Sequence, residues 1–306
     1  MRIVLIGQAA FGEKVLEALV NGGENVVGVY TIPDVPGRSN PLKDLAIKFG
    51  VPIFQPPRMR AVEVFEEYRE LQPELNIMAF VTDIVPESIL NHPKHGTIQY
   101  HPSLLPRHRG GSSINWAIIQ GDNNTGITIF WPDKGLDTGP ILLQKEVEIT
   151  PDDTIGSIYF NKLFPLGVTA IMESVAIVKQ GTAPHIKQDE SQATYEGLCT
   201  DKCGIINWEE SAQTVYNLIR GTNPSPGAST TYKNTTLKIF DSELAKNSGQ
   251  SDVPGRVMEI SKQGISVALK GGTLLIKRVQ PKGSPKMDAF TFAGQAGMQV
   301  GDMLGK

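Results

Sequence analysis

The chain has 306 residues, 29 lysines and arginines against 32 aspartates and glutamates, and a formal net charge of −3. That balance supplies no global attraction for nucleic acid, so a tRNA or DNA partner would need a local basic patch. At 40% hydrophobic and 20% charged the composition is that of a globular protein long enough for two cores, and the two cysteines exclude a disulfide framework. Cys199 and Cys203, in CTDKC, have no second ligand pair nearby; they read as reduced thiols rather than a zinc site, and no metal is expected. The N-terminal MRIVLIGQAAFG has too short an apolar run for a signal peptide, and no stretch is read as reaching transmembrane length, so a soluble, cytoplasmic setting is the expectation.

In chain order, Ile3–Ile6 reads as a strand ending at Gly7, followed by a helix over Phe11–Val20. The intervening turn lacks the spacing of a dinucleotide fingerprint and reads as tight packing, with phosphate contact the lesser alternative. Val26–Tyr30 is a second strand, Leu42–Phe49 a helix stopped by Gly50, and Pro52–Phe54 a short strand. Val62–Arg69 is helical and Leu75–Phe80 a buried strand; strands follow at Thr97–Tyr100, Ile127–Trp131 and Ile141–Ile149. Between the first two of these, Ser112 or Ser113 is expected to cap a helix through Trp116–Ile119. A long helix, capped near Asp152-Asp153-Thr154, runs towards Lys179 with a kink at Pro165. This alternation predicts an α/β domain, a Rossmann-like, doubly wound, mostly parallel sheet.

From Gly181 the pattern changes to a polar connector. A helix over Glu209–Arg220 places Ala212, Val215, Leu218 and Ile219 on one face. Strands are then predicted at Thr230–Phe240, Arg256–Ile260, Ile265–Leu269 and Thr273–Val279, and Phe292–Lys306 reads as Gly-rich and partly irregular. A smaller OB-like β-barrel domain fits. The division expected is a catalytic domain over 1–184, a linker over 185–204 and the OB-like domain over 205–306.

Chemistry concentrates in HPSLLPRHRGG, which opens at a strand end with His101, and in KGLDTGP, which carries Asp137 after another strand. Ligands of open α/β sheets sit outside the carboxyl ends of the strands, so an imidazole and a carboxylate delivered there form a candidate proton-handling pair. The glycines around Asp137 let the backbone turn sharply and approach a ligand. Taken alone, His101 fits a structural bond to its loop equally well, and Asp137 fits a turn residue better. The pairing favours an enzyme. His92, His95 and His185 read as solvated or connector residues, and His108 as a loop surface residue or, less naturally, a substrate contact.

HPSLLPRHRGG, GITIFW and GLDTGPILLQ together resemble the folate-dependent formyltransferase family, as do VYTIPD, FNKLFPLGV and IRGTNPSPGA elsewhere in the chain. The resemblance implies a 10-formyltetrahydrofolate donor, attack on its formyl carbon, His101 as the catalytic histidine and Asp137 as the aspartate that orients the nucleophile. It implies a folate slot between the turn of Phe80, Val81 and Ile84 and the loop of Pro132, Asp133, Gly135 and Leu136. The family's transferases carry an asparagine two residues before the histidine to hold the formyl oxygen; here that position is Gln99, which moves the amide out by one methylene.

For the acceptor, the YHPSLLPRHRG run resembles the hydrolase domain of 10-formyltetrahydrofolate dehydrogenase and ranks water first. Initiator methionyl-tRNA ranks second. The loop Pro33–Pro41 is shorter than the basic insertion that the tRNA enzyme uses, and the basic residues Lys233, Lys238, Lys262, Lys270, Lys277, Arg278, Lys282 and Lys286 fit a solvated surface as well as a phosphate track. A sugar amine ranks third, and a catalytically silent folate-binding module is the non-enzymatic alternative.

Overall fold

The computed structural model describes residues 1–245 and 253–305; Lys306, the end of the stretch read as irregular, lies outside them. The chain forms β1 (Arg2–Gly7), α1 (Ala9–Asn21), β2 (Asn25–Tyr30), α2 (Pro41–Phe49), β3 (Ile53–Phe54), α3 (Val62–Glu70), β4 (Leu75–Ala79) and α4 (Glu87–Leu90). There follow β5 (Thr97–His101), α5 (Ser113–Ile119), β6 (Asn124–Phe130), β7 (Ile141–Glu148), α6 (Ile155–Ile158), a π-helical turn over Tyr159–Leu163 and α7 (Phe164–Lys179). Then come α8 (Ala212–Gly221), strands β8 (Ala228–Tyr232), β9 (Thr235–Ile239), β10 (Ser242–Ala245), β11 (Val257–Ser261), β12 (Gly264–Leu269), β13 (Gly272–Ile276), β14 (Arg278–Pro281) and β15 (Met287–Asp288), and α9 (Ala289–Ala296).

Two compact units result. The first comprises Met1–Arg109, Gly126–Val147 and Asn161–Tyr195; the second comprises Gly110–Thr125, Glu148–Phe160 and Glu196–Lys306. The first unit is built on a seven-stranded sheet of order β3-β2-β1-β4-β5-β6-β7. Pairing from β3 through β5 is parallel, whereas β6 runs antiparallel to β5. The first six strands follow the order of a doubly wound fold, with its crevice where the chain reverses between β1 and β4. The central strands β1 and β4 are buried along nearly their whole length because both faces are covered, whereas the edge strand β7 alternates between half-buried and exposed residues after its first two. The first βα turn is indeed a packing device. A Cβ at Gly7 would lie 2.6 Å from the Ala79 carbonyl oxygen, and one at Gly12 3.0 Å from Leu42.

The helix from Ile155 to Lys179 corrects one expectation. With α6, the π-helical turn and α7 joined end to end, its 25 residues are long and apolar enough to cross a membrane. Pro165 does not divide it, because it occupies the first turn of α7, where no N–H is needed. The irregularity is the π-helical turn just before it. Thr154 and Ser157 close the capping box expected at the start. In the first unit α7 buries Gly167, Ala170, Ile171 and Val175. Ser112 is at the N-cap position of α5 but makes no side-chain cap bond; its hydroxyl accepts the Cys199 N–H at 3.0 Å instead.

The second unit carries two four-stranded antiparallel sheets, β10-β13-β12-β11 and β15-β14-β9-β8. Both contribute to one core with Trp208, Val215, Ile219, Ile239, Val257, Val267 and Ile276. Several predicted strands divide. Thr230–Phe240 is a hairpin, β8 and β9, turned by Lys233 and Asn234 at φ 47° and 62°, the two-residue turn that suits the twist of an antiparallel pair. Thr273–Val279 separates into β13 and β14 after Ile276, and α9, capped by Asp288, occupies part of the stretch read as irregular.

Strand alternation decides what β5 presents. Gln99 and His101 share one face, and Tyr100 faces the other, where its ring lies 4.2 Å from Phe11 between centroids. A Cβ at Gly167 would fall 2.5 Å from the Tyr100 ring and 3.1 Å from Phe11. Gly167→Ala is expected to lower stability by about 1–3 kcal/mol through overpacking, measured as a reduced urea midpoint; an unchanged midpoint would contradict this packing.

Candidate active site

The site is assembled where β5 ends. Gln99 pairs with Met78 on β4 and with Phe130 on β6, and His101 pairs with Thr128. Because β5 and β6 are antiparallel, their ends do not share one lip, contrary to the simple two-strand reading. The loop after β6 must carry Asp137 back along β5 by two residues, roughly 6–7 Å. It does so by closing on itself. Trp131 N–H donates to the Pro140 carbonyl at 2.9 Å. Asp133 accepts from the Gly135 N–H at 2.9 Å and from the Thr138 hydroxyl at 2.6 Å. A Cβ at Gly139 would lie 1.7 Å from the Trp131 carbonyl oxygen, and one at Gly135 2.0 Å from the Thr138 hydroxyl. These glycines therefore serve close contact within the loop, and Gly135 also lines the pocket. The left-handed residue is Asp137 itself, at φ 55°.

His101 and Asp137 meet. Their side chains are both 7% exposed, with His101 Nδ1 3.6 Å from Asp137 Oδ2. The other ring nitrogen, Nε2, lies 2.8 Å from the His108 carbonyl oxygen. A carbonyl only accepts, so Nε2 carries the proton in the neutral tautomer, which then presents its lone pair at Nδ1 towards the carboxylate. In that tautomer two acceptors face each other in a buried place, and a proton placed between them is shared by imidazole and carboxylate. This arrangement takes up a proton and returns it. His108 is accordingly not a surface residue: it is 3% exposed, adopts φ 56°, and its N–H donates to the Thr194 hydroxyl at 2.8 Å while its carbonyl fixes His101.

Beside the pair opens a pocket of about 570 Å³, lined by Val81, Ile84, Gln99, Pro132, Asp133, Gly135, Leu136 and Asp137 among others. Its size and its mixture of apolar walls and a few polar groups suit a drug-sized organic ligand. Met78, Val85, Leu90 and Phe130 add apolar lining that the motifs alone did not mark. Phe80 departs from the expectation. At φ 60° it turns the chain at the end of β4 and lines an adjoining cavity with Gln8, Tyr30 and Met59, while Val81 reaches both. Among the described residues no group of three or more His, Cys, Asp or Glu side chains is placed to hold a metal. Cys199 belongs to the second unit, and burial pushes its thiol up to about 11, leaving it protonated at neutral pH.

Sequence reasoning missed the residues that hold the Asp137 loop. The Gln188 amide N–H groups donate to the carbonyls of Asp137 at 2.9 Å and Gly139 at 2.7 Å. Its oxygen accepts from the buried Arg109 at 3.2 Å from Nε and 2.7 Å from Nη2. Arg109 also forms a forked pair with Glu190, at 2.9 and 2.7 Å, and donates to the Tyr195 hydroxyl. Only a polar residue in the connector, near an arginine in the PRHRG run, could have hinted at this.

A formyl transferase family model matches residues 1–174, and a model of the formyl transferase C-terminal domain matches residues 199–296. The chain belongs to the formyl transferase family. It is therefore an enzyme. Over 99% of its length this formyl transferase is 42% identical to the cytosolic 10-formyltetrahydrofolate dehydrogenase of Xenopus tropicalis, covering 35% of that protein. The chain thus spans about a third of the length of the first curated relatives it matches. It is 38% identical to the methionyl-tRNA formyltransferase of Trichlorobacter lovleyi over 99% of this chain and 96% of that one. The crystal structure of HypX from Aquifex aeolicus in complex with tetrahydrofolic acid shares the fold, with a TM-score of 0.70 at 18% identity over 98% of this chain and 48% of that one.

The Arg109–Glu190 pair has a pH signature. The guanidinium holds the Glu190 carboxyl below its ordinary value. A depressed folded-state pKa contributes stability that is present above the unfolded value and lost as pH falls through the folded one. Glu190→Gln is therefore expected to be less stable than wild type at neutral pH, with the gap closing in acid, below the ordinary carboxylate range, as the wild-type carboxyl protonates. Urea midpoints at neutral pH and in acid measure this; a gap undiminished in acid would show that the carboxylate charge is not what stabilises.

Proposed function

We propose that this enzyme takes 10-formyltetrahydrofolate as formyl donor and transfers the formyl group to water, releasing formate and tetrahydrofolate. The carrying observation is the buried couple in which His101 Nδ1, its lone pair set by the His108 carbonyl, faces Asp137 at 3.6 Å beside a pocket of folate scale. Asp137 orients a water against the formyl carbon. As the C–O bond forms, the water's proton passes to the His101–Asp137 couple and negative charge develops on the formyl oxygen. Gln99, two residues before His101 and lining the same pocket, is the side-chain N–H donor for that oxygen. The bond from carbon to N10 then breaks, the couple returns its proton to that nitrogen, and formic acid leaves, losing the water's remaining proton to solvent to become formate.

Two features favour water. The first is the 42% identity to the first third of the dehydrogenase. The second is that some of the cations near the tRNA-type loop and in the second unit are engaged internally. Lys43 pairs with Asp34, Lys238 with Asp201 and Lys277 with Glu243, while Lys286 sits 3.4 Å from the centroid of the Phe240 ring. The specific observation favouring a second reading, methionyl-tRNA as acceptor, is that the chain matches 96% of a methionyl-tRNA formyltransferase's length.

Tetrahydrofolate release from 10-formyltetrahydrofolate, measured with and without charged initiator methionyl-tRNA, separates these readings. Steady release without acceptor is expected. Release only with the tRNA, accompanied by formyl-methionine on it, would replace water by tRNA, and release in neither case would turn attention to a sugar amine or to folate binding without turnover. His101→Ala and Asp137→Asn are each expected to lower the rate at least roughly 100-fold while folate binding is largely retained, the usual scale for a lost acid–base group. Near-normal turnover in either variant would remove that residue from the mechanism. Gln99→Asn is expected to raise transfer to an amine relative to hydrolysis; an unchanged ratio would show that position 99 does not select the acceptor.

A further inference from the structure

We propose that Gln188 is a positioning residue for formyl transfer, its side-chain amide acting as a bracket that sets the backbone of Asp137 and so the carboxylate facing His101. The proposal rests on the reading of His101 and Asp137 given above. An amide has an accepting end and a donating end, and Arg109 decides which points where. The guanidinium only donates, and two of its nitrogens converge on Gln188 Oε1. The Gln188 NH₂ group is thereby turned to the opposite side, where it spans the carbonyls of Asp137 and Gly139. Arg109 is itself 1% exposed and held from its far side by Glu190 and Tyr195, so the amide has a rigid support.

The bracket grips the loop where an ordinary side chain is least at ease. Asp137 has φ 55°, a left-handed conformation adopted without glycine's freedom, and Gly139 is pressed against the Trp131 carbonyl. Bonds on both sides of Thr138 hold this turn, and the carboxylate leaves the same residue whose carbonyl is gripped. Arg109 is balanced by Glu190, and Gln188 is uncharged. The effect on Asp137 is therefore geometric, a matter of where the carboxylate stands relative to Nδ1.

Two variants separate positioning from general destabilisation. Gln188→Leu keeps much of the volume and removes both ends of the amide. Gln188→Glu keeps an acceptor for Arg109 but turns a carboxylate oxygen towards two carbonyls, so it loses the bracket while preserving the Arg109 contact. Each is expected to lower kcat roughly 10- to 100-fold, the scale of a misplacement of about 1 Å, with KM for 10-formyltetrahydrofolate changed less than about threefold. The deciding readout is the double variant with Asp137→Asn. If Gln188 acts through Asp137, either substitution adds less than about threefold to the loss already caused by Asp137→Asn in single-turnover release. Equal losses in both backgrounds would overturn the proposal, as would full activity in both single variants. Hydrogen exchange of the peptide spanning 133–139 supplies a readout without turnover: exchange at least about tenfold faster in Gln188→Glu supports the bracket, and unchanged exchange refutes it. Should wild type release no tetrahydrofolate with any acceptor, the catalytic reading fails by itself, and this exchange measurement still decides whether Gln188 holds the loop.

Discussion

The site depends on one hydrogen bond, from His101 Nε2 to the carbonyl of His108. It selects the tautomer, and the tautomer decides that Nδ1 is the atom able to receive a proton. Much else follows from that choice. The left-handed His108 helps turn this carbonyl inward, and the Thr194 hydroxyl holds the His108 N–H. The partner carboxylate has to be brought to Nδ1 from a strand that runs the other way, which is why the loop after β6 folds back and locks through Trp131, Asp133 and Pro140.

The site is stiff behind and open in front. Behind β5, Tyr100 packs on Phe11 and against Gly167, so the strand that carries Gln99 and His101 has little freedom to shift. In front, the pocket walls come from the turn after β4 and the loop after β6. Catalytic geometry is thus set by buried strand packing and buried hydrogen bonds, while the ligand-facing walls are carried on loops, where chemistry can vary without disturbing the sheet. Beneath the Asp137 loop lies a charge that burial would make costly on its own. Arg109 is tolerated there because Gln188, Glu190 and Tyr195 occupy its donors.

Much of the fold was legible because periodicity reports burial directly. The apolar runs of β1 and β4 and the stop at Gly50 after α2 needed no tertiary information. The elements misread were those whose signal is a local exception. Lys233 and Asn234 turn a hairpin inside what reads as a continuous strand, and α9 hides in a Gly-rich stretch because its glycine falls on an open face where a Cβ would meet nothing within 4 Å. The helix towards Lys179 was read as one element, but its apolar length was underestimated, and its irregularity falls in the π-helical turn before Pro165, which itself sits in the first turn of α7.

By itself the sequence determined the layer architecture, the strand-borne His101 and the family to which its motifs belong, because these depend on residue type and spacing within one element. Tertiary structure alone decided the antiparallel pairing of β6, the inward carbonyl of His108, the placement of Phe80 in an adjoining cavity, and the support of Asp137 by Gln188 and Arg109. Each of these depends on backbone groups or on partners far apart in the chain. A backbone carbonyl has no letter in the sequence, and a glutamine 51 residues from the aspartate it steadies carries no local pattern to mark it. Only folding, which places such groups at hydrogen-bonding distance in a buried setting, gives them a role.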